Sequence, residues 1–487
     1  MDSLALGRCG SGSRWLCPVR PVDRSVGRGS MAALPPTAFP WSEAARRAVP
    51  LLVAKAANLG MSVVCFALVA RFLGPERFGT YVLAYSLPWL LLPAVDFGFS
   101  AVVAREISAG GPLGWARTAV RIGLTVVPTA MAVLLLGSWV AGLRGSDLLL
   151  ITVGALQLAA FGLRPAEGVL VAEKRTVELA AAGLMANGVS LAGVAWATAS
   201  HSPETLILVA HIGYAVVYGV SVAALALPAL RAGGGPPAPV LWREAWPFGL
   251  GGLAASVAER AAVPVLVLTL GREAGGLYGA AFRMYELAVA VAGTGLLVVR
   301  PYLAETSVHP GALLGRGEEL LRGAIALSGM AALWVAGAAR ELVTWIYGSP
   351  YRGAEAALVG LVPALANVLP GNAAAELGIA SRSRMPYLQA ACAAAVLSVV
   401  GASQLSRWIG LAGPGIALAC AGTWAILWIT RQVSRGELLT LYLRAILGWS
   451  GLFGLVLTSF GLPGWARWGM ASVAGMVFAL WTWGGRR

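Results

Sequence analysis

The sequence predicts an all-α integral membrane protein with about fourteen transmembrane helices, built as two six-helix lobes related as parallel repeats plus two C-terminal helices. Three observations carry that prediction. The composition is too apolar for a water-facing surface, apolar runs of about 20–27 residues recur along the chain, and one short motif returns 197 residues later.

Of the 487 residues, 58% are apolar and 12% charged, with a mean hydropathy of +0.75. A soluble globular protein carries about 25% charged residues. So few charges cannot cover the surface of a soluble chain this long, which excludes a soluble enzyme, a nucleic-acid-binding domain and a disordered scaffold. The net charge of +14 is spread singly, without a Lys/Arg block. In a membrane protein that excess reads as cytoplasmic loop charge and lipid-headgroup contact, not nucleic acid. Cys9 and Cys17 lie in an atypical N-terminal stretch, and Cys65, Cys392 and Cys420 fall inside apolar runs. No spacing suggests a disulfide framework or a zinc site, so they read as small hydrophobes.

Residues 1–30 stand apart, with Arg8, Arg14, Arg20, Arg24 and Arg28 among many Gly and Ser and no apolar core of a signal peptide. The Arg/Ser-rich balance resembles an organelle transit peptide. An over-extended start, with Met31 as the initiator, is the expected explanation. Residues 1–45 are accordingly set outside the fold, as a disordered extension or a mis-assigned start.

A helix needs about 20 residues to cross the hydrocarbon core. Fourteen such spans are read at about 49–71, 81–107, 117–142, 147–172, 177–199, 204–230, 244–270, 276–300, 321–347, 353–376, 386–408, 411–432, 438–461 and 465–484. Strand alternation is absent, which excludes a β-barrel, and helices satisfy their backbone groups internally. The expected divisions are an N-lobe at 46–230 (helices 1–6), a cytoplasmic linker at 231–243, a C-lobe at 244–432 (helices 7–12), and helices 13–14 at 433–487. The longest connectors, 302–320 and 231–243, are too short for a catalytic domain. With the N-terminus inside, twenty Lys/Arg fall on the cytoplasmic side and eight outside, while Arg164, Arg260 and Arg283 remain within spans. That satisfies the positive-inside rule, and an even helix number puts both termini in the cytoplasm.

The repeated motif is LGPERFGTYVLAYSL at 73–87, which lies on LGREAGGLYGAAFRM at 270–284. Six of fifteen positions agree: Leu73/Leu270, Gly74/Gly271, Glu76/Glu273, Gly79/Gly276, Tyr81/Tyr278 and Ala84/Ala281. Gly and Ala are common in this chain, so the weight falls on the Glu and Tyr matches in a polar connector. An offset of six helices preserves orientation and makes the halves parallel repeats. In transporters so built, the substrate site lies at the repeat interface.

Arg71-Phe72-Leu73-Gly74-Pro75-Glu76-Arg77-Phe78-Gly79-Thr80-Tyr81, followed by Asp96-Phe97-Gly98-Phe99-Ser100 and Ala104-Arg105-Glu106, resembles the opening of bacterial polysaccharide-biosynthesis flippases. These O-antigen-type lipid-linked oligosaccharide flippases belong to the multidrug/oligosaccharidyl-lipid/polysaccharide exporter superfamily. Gly276-Leu277-Tyr278-Gly279-Ala280-Ala281-Phe282-Arg283, Pro301 and Tyr347-Gly348-Ser349-Pro350-Tyr351 extend the resemblance, which runs from about residue 45 to about 440. Many members carry Arg-x-Asp in helix 7, whereas here Glu259-Arg260 is followed by Ala261-Ala262, so no role of that acid carries over. Helices 1 and 2 also lack the arginine cluster of the lipid II flippases.

The resemblance implies a multi-pass protein of the bacterial cytoplasmic membrane whose substrate is an undecaprenyl diphosphate bearing a sugar repeat. Glycosyltransferases and a polysaccharide polymerase of the same pathway would be its partners, beside membrane lipids. Uncompensated charge is prohibitively costly in hydrocarbon, so such a protein must offer a wet, cationic cleft while the prenyl tail stays in lipid. The candidate substrate-binding groups are Lys55, Asn58, Arg260 and Arg283, because cations there would hold phosphate oxygens by charge-assisted hydrogen bonds.

Each has a plainer reading. Lys55 would snorkel to the interface. Arg260 would pair with Asp96 or with an acid on a neighbouring helix. Arg283/Glu286 and Arg164/Glu167 are i,i+3 neighbours that can neutralise each other. Asp96 and Glu259 are the candidates for coupling to H⁺ or Na⁺. Asp96 follows Pro88 and Pro93, which invite a bend, and a fixed hydrogen bond to freed backbone groups would serve it equally. His211 reads as a satisfied interhelical donor. No nucleotide-binding loop, catalytic set or metal cluster stands out, so no cofactor and no enzymatic activity are expected.

Three functions are therefore carried forward: a lipid-linked oligosaccharide flippase, with lipid II as an alternative cargo; a cation-coupled drug antiporter of the same superfamily, which would want acids in its cleft; and a polysaccharide polymerase or ligase, which would need a large outer loop.

Overall fold

The computed structural model describes residues 41–306, 310–380, 385–434 and 436–484, and every regular element among them is helical. Residues 1–40, including Met31, lie outside the described residues. The first helix starts at Trp41, inside the extension expected to reach residue 45. Ser42 and Glu43 are polar, and an apolarity criterion passes over such residues.

Helix α1 (Trp41–Asp96) makes two passes divided at Gly74, and α2 (Phe99–Ser108) prolongs the second. Next come α3 (Gly114–Val140) and a broken fourth pass made of α4 (Gly145–Ala155), α5 (Gln157–Phe161), a 3₁₀ turn at Arg164–Ala166 and α6 (Glu167–Ala172). Helices α7 (Thr176–Ala199) and α8 (Glu204–Leu225) follow, the latter ending in the short α9 (Leu227–Arg231). The seventh pass is α10 (Ala238–Arg260) and α11 (Ala262–Leu270), bent by 41°. The remainder are α12 (Arg272–Thr306), α13 (Pro310–Tyr347), α14 (Ala354–Ala380), α15 (Met385–Ile409), α16 (Gly413–Ser434), α17 (Glu437–Thr458) and α18 (Gly464–Gly484).

Among the described residues nine stretches are long and apolar enough to cross a membrane, or ten with the bent pair. Two of them, Val53–Asp96 and Met385–Val433, hold two passes each. With α12, whose charges depress its hydropathy, and the Gly- and Trp-rich α18, fourteen passes result. The helices run further than apolarity implies: α12 and α13 absorb most of the expected connector 302–320, and α10 begins within the expected linker 231–243. Apolar runs mark where a helix meets lipid, not where its hydrogen bonds end. Trp139, Trp196, Trp345, Trp408 and Trp465 are 54–80% exposed at helix ends that the chain order puts on one face, the pattern of an interfacial aromatic belt.

Prolines set the breaks, and side chains collect the carbonyls they free. Pro93 leaves the Trp89 carbonyl unpaired, and Ser256 donates to it at 3.3 Å. Pro370 frees Ala366, to which Ser328 donates at 2.6 Å. Pro264 cannot bond back to Arg260, and the chain bends there. The bend expected at Pro88 and Pro93 falls a turn later, where Phe97 (φ 43) and Gly98 (φ 76) interrupt the helix after Asp96.

The repeat is visible in the backbone. Gly74 (φ 74, ψ 169) and its partner Gly271 (φ 95, ψ 177) share a conformation open essentially to glycine alone. The two turns also pack on each other symmetrically. A Cβ on Gly79 would strike the carbonyl of Arg272, and one on Gly276 would strike that of Pro75; positions 75 and 272 are themselves related by the same offset. At the equivalent pair Val82 and Gly279, an added Cβ would stand 2.8 Å from the Val82 side chain. Tyr81 and Tyr278 are both fully buried. This contact joins α1 to α12.

Gly271→Ala should destabilise the protein by roughly 1–3 kcal/mol, because no space but only the backbone conformation excludes the methyl group. Gly137→Ala, at an open, ordinary helical position, should be neutral or mildly stabilising. Thermal unfolding in detergent checks both; equal effects would remove the conformational argument.

Candidate functional site

Arg260 closes α10 at the bend that Pro264 imposes, and its guanidinium reaches the neighbouring α12. There Arg283 and Glu286 stand one turn apart on one face. Arg260 Nη1 donates to Glu286 Oε1 and Arg283 Nη1 to Glu286 Oε2. The three side chains are 20%, 11% and 17% exposed in the order Arg260, Arg283, Glu286. One carboxylate therefore serves two cations, and all three side chains are only slightly exposed.

The wall opposite is aromatic and comes from α1. The Arg283 guanidinium lies 3.8 Å from the ring centre of Phe66 and 4.9 Å from that of Tyr85, and Arg260 lies 5.7 Å from Trp89. Cations over such faces gain about 0.5–2 kcal/mol as water is removed. In repeat register, Arg283 and Glu286 correspond to Ser86 and Trp89. One repeat supplies the charges and the other supplies π faces.

Behind this wall, the Tyr81 hydroxyl and His211 Nδ1 are hydrogen-bonded at 2.6 Å, Tyr85 stacks on the imidazole, and Ser190 donates to the His211 carbonyl at 3.1 Å. His211 on α8 is thus a satisfied interhelical group, as read from the sequence.

The other candidates lie elsewhere. Asp96 does not pair with Arg260; it accepts from the Ser100 hydroxyl and, at 3.3 Å, the Ser100 N–H, tying down the first turn of α2. The Ser100 hydroxyl also faces the Arg164 carbonyl at 3.3 Å. Arg164 pairs with Glu167 at 3.4 Å, and these two charges are the ones that act on Lys55. Asn58 accepts from Asn187 at 2.9 Å and lies against Gly183, so it joins α1 to α7. The structure brings Arg260 and Arg283 together, gathers Lys55 with Arg164 and Glu167, and uses Asn58 for helix packing.

Glu259 feels the charge of its neighbour Arg260 but forms no ion pair with it among the described residues. It lines a cavity of about 220 Å³ among α10, α12, α14, α15 and α16, with Tyr285, Asn367, Asn372 and Tyr387. Asn367 is already engaged, donating to the Ala419 carbonyl and Thr423 hydroxyl and accepting from Tyr442 at 2.7 Å. Glu259 makes no ion pair or hydrogen bond among the described residues, and no group of three or more His/Cys/Asp/Glu positioned for a metal occurs among them.

Sequence reading missed Glu286 as a shared carboxylate, because the i,i+3 pattern accounts for it within one helix. It also missed Phe66, Tyr85 and Trp89 as ring partners of the arginines. The signal available was the 197-residue offset, which sets 85–89 opposite 282–286.

No protein-family model matches the chain, and no curated protein matches it. Its fold is shared with solved structures. The lipid II flippase MurJ in an inward closed conformation superposes with a TM-score of 0.69 at 11% identity, over 88% of this chain and 97% of that one. A transporter of the MOP superfamily from Pyrococcus furiosus gives 0.62 at 14% identity, covering 82% and 97%. An inward-facing multidrug resistance transporter of the MATE family gives 0.58 at 15%, covering 78% and 95%. The expected all-helical architecture with about fourteen passes holds.

Removing the shared carboxylate should be severe. Glu286→Ala leaves two arginines without their acid and is expected to destabilise by about 3–5 kcal/mol. Adding Arg260→Met should recover part of that loss. Thermal unfolding and membrane abundance of the single and double variants measure it, and strictly additive effects would dissolve the triad as an energetic unit.

Proposed function

We propose that the chain is a flippase for a lipid-linked oligosaccharide, moving an undecaprenyl-diphosphate head group across the bacterial cytoplasmic membrane by alternating access. The moving bodies are the lobes at 46–230 and 244–432, and both termini are cytoplasmic. The observation that carries the reading is a pair of cations on a single carboxylate: among the described residues Arg260 and Arg283 both pair with Glu286, while Glu259 acts on Arg260 through space. An arriving diphosphate would compete with that carboxylate for the guanidinium donors through charge-assisted, bidentate hydrogen bonds.

A drug-cation antiporter is less well served, since a cationic cargo would meet like charge. Lipid II remains a second cargo, favoured by the fold likeness to the lipid II flippase, and it has the same diphosphate and prenyl chemistry. The motif at Arg71–Tyr81 favours the O-antigen-type repeat.

The conformation suits the cycle. The face assigned to the exterior is shut by the glycine turns, by Arg71 donating to the carbonyls of Ile346 and Trp345 at 2.9 and 2.6 Å, and by Tyr351 donating to Ala70 at 2.8 Å. The cytoplasmic face is joined through Arg105 and Glu244 at 2.9 Å and by Phe97 against Gly249. Lobe rocking would break one set while keeping the other. Glu259, which forms no ion pair among the described residues, is the preferred group for coupling to H⁺ or Na⁺. Asp96 is already committed to Ser100.

Two measurements test the proposal in proteoliposomes loaded with a fluorescent undecaprenyl-diphosphate oligosaccharide. Arg260→Glu should reduce flipping to background. Val82→Cys/Gly279→Cys should stop it when oxidised and restore it on reduction, a reversibility that separates closure from misfolding. Persistent flipping by the oxidised pair would overturn alternating access at this contact. A gain of cation export by Arg260→Glu would replace the flippase with the antiporter.

A further inference from the structure

The C-terminal helices enclose a second cavity that the flipping cycle does not use. It measures about 410 Å³ and lies where the starts of α13 and α17 meet the end of α18, on the face assigned to the cytoplasm. Its charged lining is Glu318 and Arg322 from α13 with Glu437 and Arg444 from α17, set among Ile325 and Trp481.

The four charges are not equivalent. Arg322 is fixed, donating to Glu318 at 3.0 and 2.8 Å and to the Thr482 carbonyl at 3.3 Å. This pair is internally neutral and forms a wall. Glu437 and Arg444 form no ion pair or hydrogen bond among the described residues, and both are exposed. Among the described residues the cavity therefore presents one free acid and one free cation.

Their order along the helix is informative. Glu437 opens α17, and Arg444 lies two turns further into the membrane, about 10 Å along the axis. A zwitterionic phospholipid head has the same order, with its ammonium outermost and its phosphate nearer the glycerol. The Arg444 guanidinium can meet phosphate oxygens while its stem lies along apolar wall. Trp481, 51% exposed, stands where an interfacial ring borders lipid.

We propose that this cavity is a binding site for the head group of an amine-bearing phospholipid, phosphatidylethanolamine, with Arg444 on the phosphate and Glu437 on the ammonium. An anionic head such as phosphatidylglycerol would satisfy Arg444 but leave Glu437 without a cation. The acid is the selectivity element and the arginine the anchor.

The full-length protein, purified from vesicles containing equal phosphatidylethanolamine and phosphatidylglycerol, is analysed by native mass spectrometry and lipid quantification. Retained phosphatidylethanolamine should exceed phosphatidylglycerol by roughly tenfold, the ratio that one charge-assisted hydrogen bond supports. Glu437→Gln should equalise the two lipids, and Arg444→Gln should lose both. Excess inorganic phosphate in the buffer should displace neither, which marks the occupant as lipid and not a free anion. Equal retention by the wild type, displacement by phosphate, or unchanged retention in both variants would each overturn the assignment. Both side chains are exposed, so the variants should fold, and an unchanged unfolding temperature verifies it.

Discussion

An ionised side chain in the hydrocarbon slab has to be neutralised by another group of the protein, and Glu286 is where this molecule meets that requirement at its centre. Both oxygens of one carboxylate are taken by two arginines, from α10 and α12. The arrangement is stable only while all three members are present, since removing one partner of a buried pair leaves the other stranded. It also leaves guanidinium donors that Glu286 does not take, Arg283 Nε among them. Structural need and proposed binding chemistry thus fall on the same three side chains.

That placement depends on backbone geometry set by small and cyclic residues. Pro264 bends the seventh pass next to Arg260, and the paired glycines at 79 and 276 let α1 and α12 touch backbone to backbone. Close approach of this kind is how helices associate in lipid, where the surrounding chains are as apolar as the side chains themselves. With larger residues the turns would separate, and the aromatic wall at Phe66, Tyr85 and Trp89 would move off the arginines. Ser256 and Ser328 meanwhile satisfy carbonyls that proline leaves open, so the bends do not leave those oxygens unpaired in the membrane.

Much of this was legible in the sequence. Apolar runs alone place fourteen passes, and the Gly74/Gly271 match anticipates two turns of the same conformation. Helix ends were less legible, because α10 and α13 extend through charged residues that leave the lipid but keep their backbone bonds. Within the site, Arg260 and Arg283 were identifiable as ionisable groups inside spans. Their common partner was not, because which acid an arginine meets across two helices depends on a bend, and sequence spacing describes only one helix at a time. Asp96 illustrates the reverse: its place after two prolines allowed either an ion or a fixed hydrogen bond to freed backbone groups, and it accepts from the N–H and hydroxyl of Ser100, one turn away.

The two repeats share a backbone plan and divide the chemistry unequally. At the position of Arg283 the first repeat has Ser86, and at that of Glu286 it has Trp89. Duplicated charges would have placed two arginine–carboxylate pairs against one another across a contact that tolerates no added methyl at Gly79, Gly276 or Gly279. Placing charge in one repeat and ring faces in the other avoids like-charge repulsion, while keeping every guanidinium over a π surface that attracts it. The same division allows relative movement. A cation over aromatic rings has no single bonded partner to lose, whereas the ion pairs that do cross between the halves, Arg105–Glu244 and Arg272–Asp147, each hold one register. Pseudo-symmetry thus supplies the two halves, and the asymmetry of their side chains keeps the interface between them both closed and separable.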